Sequence, residues 1–141
     1  MLSEPPVLAE REFLGHPLRI EARWQGADLA IQLSGGVRPH IGAVVLAVPR
    51  PSLRDPCRAS ATASVLNRPG HRDEEPARRI AESFASRLRA NVVVLCGIHY
   101  EGLKDEQIRE VNRVCAALAE EVLPVLEEQA RAKPPAEDLS E

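Results

Sequence analysis

"ASATASVLNRPGHRDEEPARRIAESFASRLRANVVVLCG", Ala59 to Gly97, decides the fold class. Its first nine residues alternate. Ser60, Thr62 and Ser64 share one face, and Ala61, Ala63 and Val65 share the other, which is the period of a strand. Its middle switches to a helical period. Ala77, Ile80, Ala81, Phe84 and Leu88 form one apolar face. The acids before Pro76 suit a helix first turn, and Arg87 and Arg89 suit the last. Its end, "NVVVLCG", is continuously apolar and β-branched, the pattern of a strand buried on both faces. Strand, helix and strand in that order form one unit, and if its strands are parallel the crossover should be right-handed.

Upstream, "PLRIEARWQGADLAIQLSGG" reads as a hairpin. Leu18, Ile20, Ala22 and Trp24 alternate with charges, Gly26 and Asp28 mark a turn, and Leu29, Ile31 and Leu33 resume the alternation. "GGVRPHIGAVVLAVPRP" follows, Gly35 to Pro51, with a strand from about Ile41 to Val48. The link before that strand is short, which predicts direct antiparallel pairing of the strands on either side of it. Downstream, a last helix begins near Asp105 with the stripe Ile108, Val111, Cys115, Leu118, Val122 and Val125, and Pro124 should kink or break it. The expectation is an α/β (α+β) single domain, a mixed sheet of about five or more strands with two main helices. Residues 1–12 read as a flexible N-terminus, 13–130 as the domain and 131–141 as a disordered, Pro-rich and charged tail.

The chain's 141 residues suit one core, and aromatics at 3% leave Leu, Val, Ile and Ala to fill it. A net charge of −3 argues against nucleic acid as a partner. No apolar run is long enough to span a membrane. "MLSEPPVLAEREF" lacks the basic and apolar regions of a signal peptide, so the expected location is the cytoplasm. Cys57, Cys96 and Cys115 are odd in number and show no CxxC spacing, which argues against a disulfide framework or a zinc knuckle.

The predicted pairings bring one set of polar residues to one rim of the sheet. Gly35, Gly36, Arg38 and His40 lie between two strands. Ser64, Asn67, Gly70 and His71 lie at the end of the "ASATASVLN" strand. Cys96, Gly97 and His99 lie at the end of the last strand. His16, before Pro17, reads as linker. Glycine amides near a helix N-terminus can hold an anion. Ser and Asn can meet the edge of a heterocycle, and imidazoles can bind phosphate, shuttle a proton or ligate a metal. Each feature also has a plain structural explanation. Gly35-Gly36 can be a turn, His40 can bond the backbone, His71 can cap the helix and Cys96 can be packing. No carboxylate stands out as a general base.

Four stretches, "GGVRPHIGAV", "PRPSLRDP", "ATASVLNRPGHRDEEPAR" and "NVVVLCGIHYEGL", together resemble the small D subunit of gallate and hydroxyarylic acid decarboxylases, the LpdD-like prenylated flavin chaperones. That family is in turn similar in fold to proteasome assembly chaperones. The resemblance implies a homodimer that binds prenylated FMN, in its reduced form, and assists its delivery to a UbiD-type decarboxylase, with a flavin prenyltransferase as its source. It implies no catalysis by this chain. By position it places cofactor contacts on Gly35, Gly36, His40, Ser64, Asn67, Gly70, His71 and His99, and the rim pattern adds Arg38 to them. A divalent metal on His40, His71 and His99 is compatible with it. Two other classes stay open: a metal-dependent enzyme built on those three histidines, and a ligand-free assembly module.

Overall fold

The alternating and helical patterns condense into eight elements, seen in a computed structural model that describes residues 4–69 and 73–134. They are β1 (Val7–Phe13), β2 (His16–Gln25), β3 (Asp28–Gly36), β4 (Ala43–Pro51), β5 (Ala59–Asn67), α1 (Glu74–Leu88), β6 (Val92–His99) and α2 (Asp105–Ala130). The strands form one mixed sheet in the order β1-β2-β3-β6-β4-β5. This is the expected α+β domain with two main helices. Among the described residues no helix is long and apolar enough to cross a membrane.

Both helices pack on one face of the sheet. α1 lies over β4, β5 and β6, and α2 lies over β1 and β2 and against α1. Every residue of the apolar face predicted for α1 is buried, from Ala77 to Leu88. The even-numbered residues of β2 and β6 and the odd-numbered residues of β3 meet the helices: Leu18, Ile20, Leu29, Ile31, Val92 and Val94 are each at most 1% exposed. Burying a side chain of this kind contributes roughly 1.5–3 kcal/mol, so this layer dominates stability.

Four features differ from expectation. β3 and β4 do not pair. β6 enters between them, parallel to β3 and antiparallel to β4. Burial drives this, because β6 is the most apolar strand and the centre of a sheet is its driest place. Secondly, residues 7–12, expected to be loose, form most of β1, which pairs along β2 from Val7↔Ala22 to Phe13↔His16. Arg11 also reaches Glu121 of α2 at 3.7 Å. Thirdly, His16 is the first residue of β2 and not linker. Fourthly, α2 runs through Pro124 without a break. Pro124 and Glu120, whose carbonyl loses its helical partner, both face solvent, while Val122, Leu123 and Leu126 keep the buried side seated. Val125 is correspondingly exposed. The tail expected beyond residue 131 falls partly outside the described residues, which show a turn to Pro134.

Cys96 on β6 and Cys115 on α2 are buried, and Cys57 is exposed. Burial pushes the Cys115 thiol up to about 12, helped by the Asp73 carboxylate. Burial pushes Cys96 higher still, with Asp73 and Cys115 adding to it. One thiol per chain, that of Cys57, should therefore react rapidly with a disulfide reagent at pH 8, and all three should react after denaturation. The same shift has a thermodynamic sign. Between about pH 9 and pH 12 the unfolded chain releases thiol protons that the folded chain retains, so stability should fall as pH rises through that window. Urea titrations at pH 8 and pH 10 check it.

Candidate functional site

The predicted rim exists, but a different topology builds it. β3 and β6 run parallel and end together at Gly36↔His99. β4 starts where β5 ends, at Ala43↔Asn67. The link of residues 37–42 must therefore pass across the end of β6 to reach β4. It passes so closely that a Cβ on Gly97 would lie 1.6 Å from the His40 carbonyl oxygen. A Cβ on Gly42 would lie 2.0 Å from an Asp73 oxygen. These two glycines are required by the crossing itself.

Asp73 locks the crossing. It is 6% exposed, the buried charged residue of the core, and sits at the N-cap of α1. An N-cap aspartate ordinarily accepts from the first helical amides. This one makes no such bond. Its Oδ1 accepts instead from the Ile98 amide at 3.1 Å, and its Oδ2 lies 3.3 Å from His40 Nε2. β4 ends its pairing with β6 at Ala43↔Cys96, so the Asp73 carboxylate takes the place of the next strand residue. On its other side, His40 Nδ1 donates to the Arg38 carbonyl at 3.1 Å. An imidazole held between a carbonyl and a carboxylate satisfies both when both nitrogens carry hydrogen.

Around this lock the other rim residues fall into place. The rings of His40 and His99 are 6.4 Å apart, edge to face. His99 Nε2 meets Glu101 Oε1 at 3.0 Å. Asn67 donates through Nδ2 to Glu74 Oε2 at 2.8 Å. Arg38 is exposed on the link, and Arg68 donates to the Ile41 carbonyl at 3.0 Å. At the β2 side Tyr100 donates to the His16 carbonyl at 3.2 Å and stacks edge-on against Phe13 at 5.5 Å. Partial burial, then the nearby Cys115, raises the Tyr100 hydroxyl above its ordinary value.

Of the residues expected here, the structure brings Gly36, Arg38, His40 and His99 together, and Asn67 lies at the same end of the sheet on its helix side. Gly35 is paired on both sides, with Leu18 and with Ile98, so its amide belongs to the sheet. Gly36 has φ +82°, and a Cβ there would lie 2.0 Å from the His99 carbonyl oxygen, so close packing accounts for it. Ser64 pairs with Leu46 three residues back from Asn67, roughly 10 Å along β5, with its side chain on the opposite face. It does not join the cluster. Gly70 and His71 lie outside the described residues, and so does part of the expected three-histidine metal site. Among the described residues no group of three His, Cys, Asp or Glu is placed to hold a metal. Cys96 is packing, deep under the rim.

Asp73 was invisible as a site residue because it reads as one of three consecutive acids favouring the start of α1. Its usable signal is position. It stands first of the three, where a cap side chain points back toward the sheet.

A family model described as the prenylated flavin chaperone LpdD-like domain matches residues 12–127, which include every residue of the rim. The chain belongs to this family. No curated protein matches it. Among solved structures, the LpdD-like chain is similar to a chain of a chaperone complex for yeast 20S proteasome assembly. The two are 14% identical, with a TM-score of 0.47 over 84% of this chain and 97% of that one.

The site geometry predicts an ordered pair of effects. Asp73→Ala removes the acceptor of a partly buried amide and the partner of His40, and should cost about 2–4 kcal/mol in urea unfolding. Asp73→Asn keeps an oxygen for Ile98 and should cost about half as much or less. Equal losses in the two variants would show that the amide bond carries nothing.

Proposed function

We propose that this LpdD-like chain binds prenylated FMN, in its reduced form, at the rim, and assists its delivery to a UbiD-type decarboxylase of gallate or hydroxyarylic acids. A flavin prenyltransferase would be the source of the cofactor, and the cytoplasm the place of exchange. The chain is read as a homodimer. The observation that carries this is the family match over residues 12–127, which spans the whole rim.

The residues present fit such a ligand in kind. A phosphate needs cations and unshared N–H donors. Arg38, exposed on the link, supplies both, and His99 stands at the end of β6 with its Nε2 on Glu101. A heterocycle edge needs neutral amide chemistry, which Asn67 offers. The Asp73–His40 lock keeps the link still, so the groups it carries need not be ordered on binding. Bound here, the group brings the redox and nucleophilic chemistry that its decarboxylase uses. This chain's part is retention and transfer. The thiol of Cys96 is buried and held protonated, so it serves packing rather than chemistry at the rim.

Titration with reduced prenylated FMN under anoxia, beside plain FMN and with or without a divalent metal, tests the reading. Tight binding selective for the prenylated form is expected. Arg38→Ala, His99→Ala and His71→Ala should each weaken it about tenfold or more while the thermal transition stays put. Equal affinity for plain FMN, or none for either, overturns the proposal. Dependence on the metal would assign the histidines as ligands.

A further inference from the structure

The two edges of the sheet are built differently. β1 carries Glu10, Arg11 and Glu12 and follows Pro5 and Pro6, residues that keep an edge from pairing with another chain. β5, the opposite edge, reads "ASATASVLN", with no charge, no Pro and no Gly. It pairs with β4 without a bulge, from Pro51↔Ala59 to Ala43↔Asn67. The bonds just beyond its ends fix which backbone groups point outward. The Ser52 amide donates to the Arg58 carbonyl, and the Arg68 amide donates to the Gly42 carbonyl, both at 2.8 Å. Even-numbered residues therefore turn their backbone groups toward β4. Ala59, Ala61, Ala63 and Val65 turn theirs the other way, where among the described residues no strand lies. Donors and acceptors alternating at every second residue are matched in full by another extended backbone.

α1 says which segment fits. Asn67 at the end of β5 bonds Glu74, so the flank of α1 that carries Glu74, Arg78 and Glu82 lies toward this edge. Arg78 meets Glu74 at 3.5 Å and Glu82 at 3.1 Å. The opposite flank is tied to α2 through Arg87 and Glu127. A strand laid along β5 passes beneath a ladder of two acids and one base, an excess of negative charge. We propose that β5 takes an extended segment of another protein as an added strand, uncharged over most of its length and with a basic side chain turned toward α1. A second copy of this chain fits less well. Pairing β5 with itself about a two-fold axis sets the ladder residue nearest the axis against its own copy, like sign on like. The proposal is independent of flavin binding and of the homodimer reading.

The probe is a short capped peptide with valine, lysine and valine alternating between threonines, titrated to about 1 mM into the full chain and followed by amide hydrogen exchange in NMR spectra. Exchange at Ala61, Ala63 and Val65 should slow about tenfold or more, and exchange in β1 should not change. Glutamate in place of the peptide's lysine should weaken binding about tenfold. Methylating every backbone amide of the peptide should abolish it. In the chain, Ala63→Pro removes an outward N–H that β4 does not use and should weaken binding about tenfold or more, with unchanged circular dichroism. No slowing of the three wild-type amides overturns the proposal, whatever the variant does. Equal slowing by the methylated peptide overturns it too. Protection that appears without peptide and grows with protein concentration would show copies pairing along β5, and would also overturn it.

Discussion

The carboxylate of Asp73 is the constraint on which the functional end of this fold depends. The link between β3 and β4 has to cross β6, and a crossing strand end has amides with no neighbouring strand to accept them. Burying a carboxylate is costly unless it is bonded and paired. Asp73 meets both conditions where the end of β6 has lost its β4 partner, bonding the Ile98 amide and pairing with His40. Three segments remote in sequence are thereby fixed together: the 37–42 link, the start of α1 and the end of β6. The glycines follow from the same crossing. Gly97 and Gly42 stand where a side chain would collide with the link or with the carboxylate. Much of the glycine content of the rim thus serves close backbone approach, and ligand contacts fall to the side chains around it.

Periodicity made much of the fold legible. The hairpin of β2 and β3, the buried face of α1, the start of α2 and the parallel crossover from β5 to β6 are local patterns, and each survives in the structure. Strand order was less accessible. A short link between β3 and β4 looks like a hairpin connection, but hydrophobic burial is collective and puts β6 at the centre. The rim emerged nonetheless, because β6 entering parallel to β3 leaves the relative direction of β3 and β4 unchanged. β1 was hidden by its charges. On an edge strand with one uncovered face, Glu10, Arg11 and Glu12 are compatible with regular pairing, so polarity there reports position and not disorder. Ser64 was misplaced by treating the end of β5 as one patch. Period two sends Ser64 and Asn67 to opposite faces.

The two ends of the sheet are built for different tasks. At the end far from the rim, Trp24 donates to Gln129 at 2.8 Å, and Lys133 lies 4.8 Å over the indole ring. A cavity of about 160 Å³ lies there between Trp24, Leu88 and Ala130. Of the two cations that line it, Lys133 is engaged with Glu4 and with the ring. This end reads as the clasp that seats α2. At the rim, by contrast, Arg38 is exposed, and the histidines and Asn67 are held by local bonds that set their direction. Fixed polar groups on a rigid scaffold are the arrangement that ligand recognition requires.

The parity of β6 joins the rim to the uncovered face. Val93, Leu95, Gly97 and His99 share one side of the strand, so the apolar stripe leads directly up to the link over Gly97 and to the imidazole beyond it. Residues on the helix side of β6, Val92, Val94 and Cys96, are spent on the core. Substitutions on the two sides should therefore separate cleanly in what they disturb. Truncating Val94 leaves a cavity under α1 and lowers stability. Charging Leu46 or Leu66, on the side the helices do not cover, leaves that core in place. A strand that is apolar on both sides and ends under the crossing link has little freedom in sequence. That is the physical reason "NVVVLCGIH" reads as the most constrained stretch of the chain.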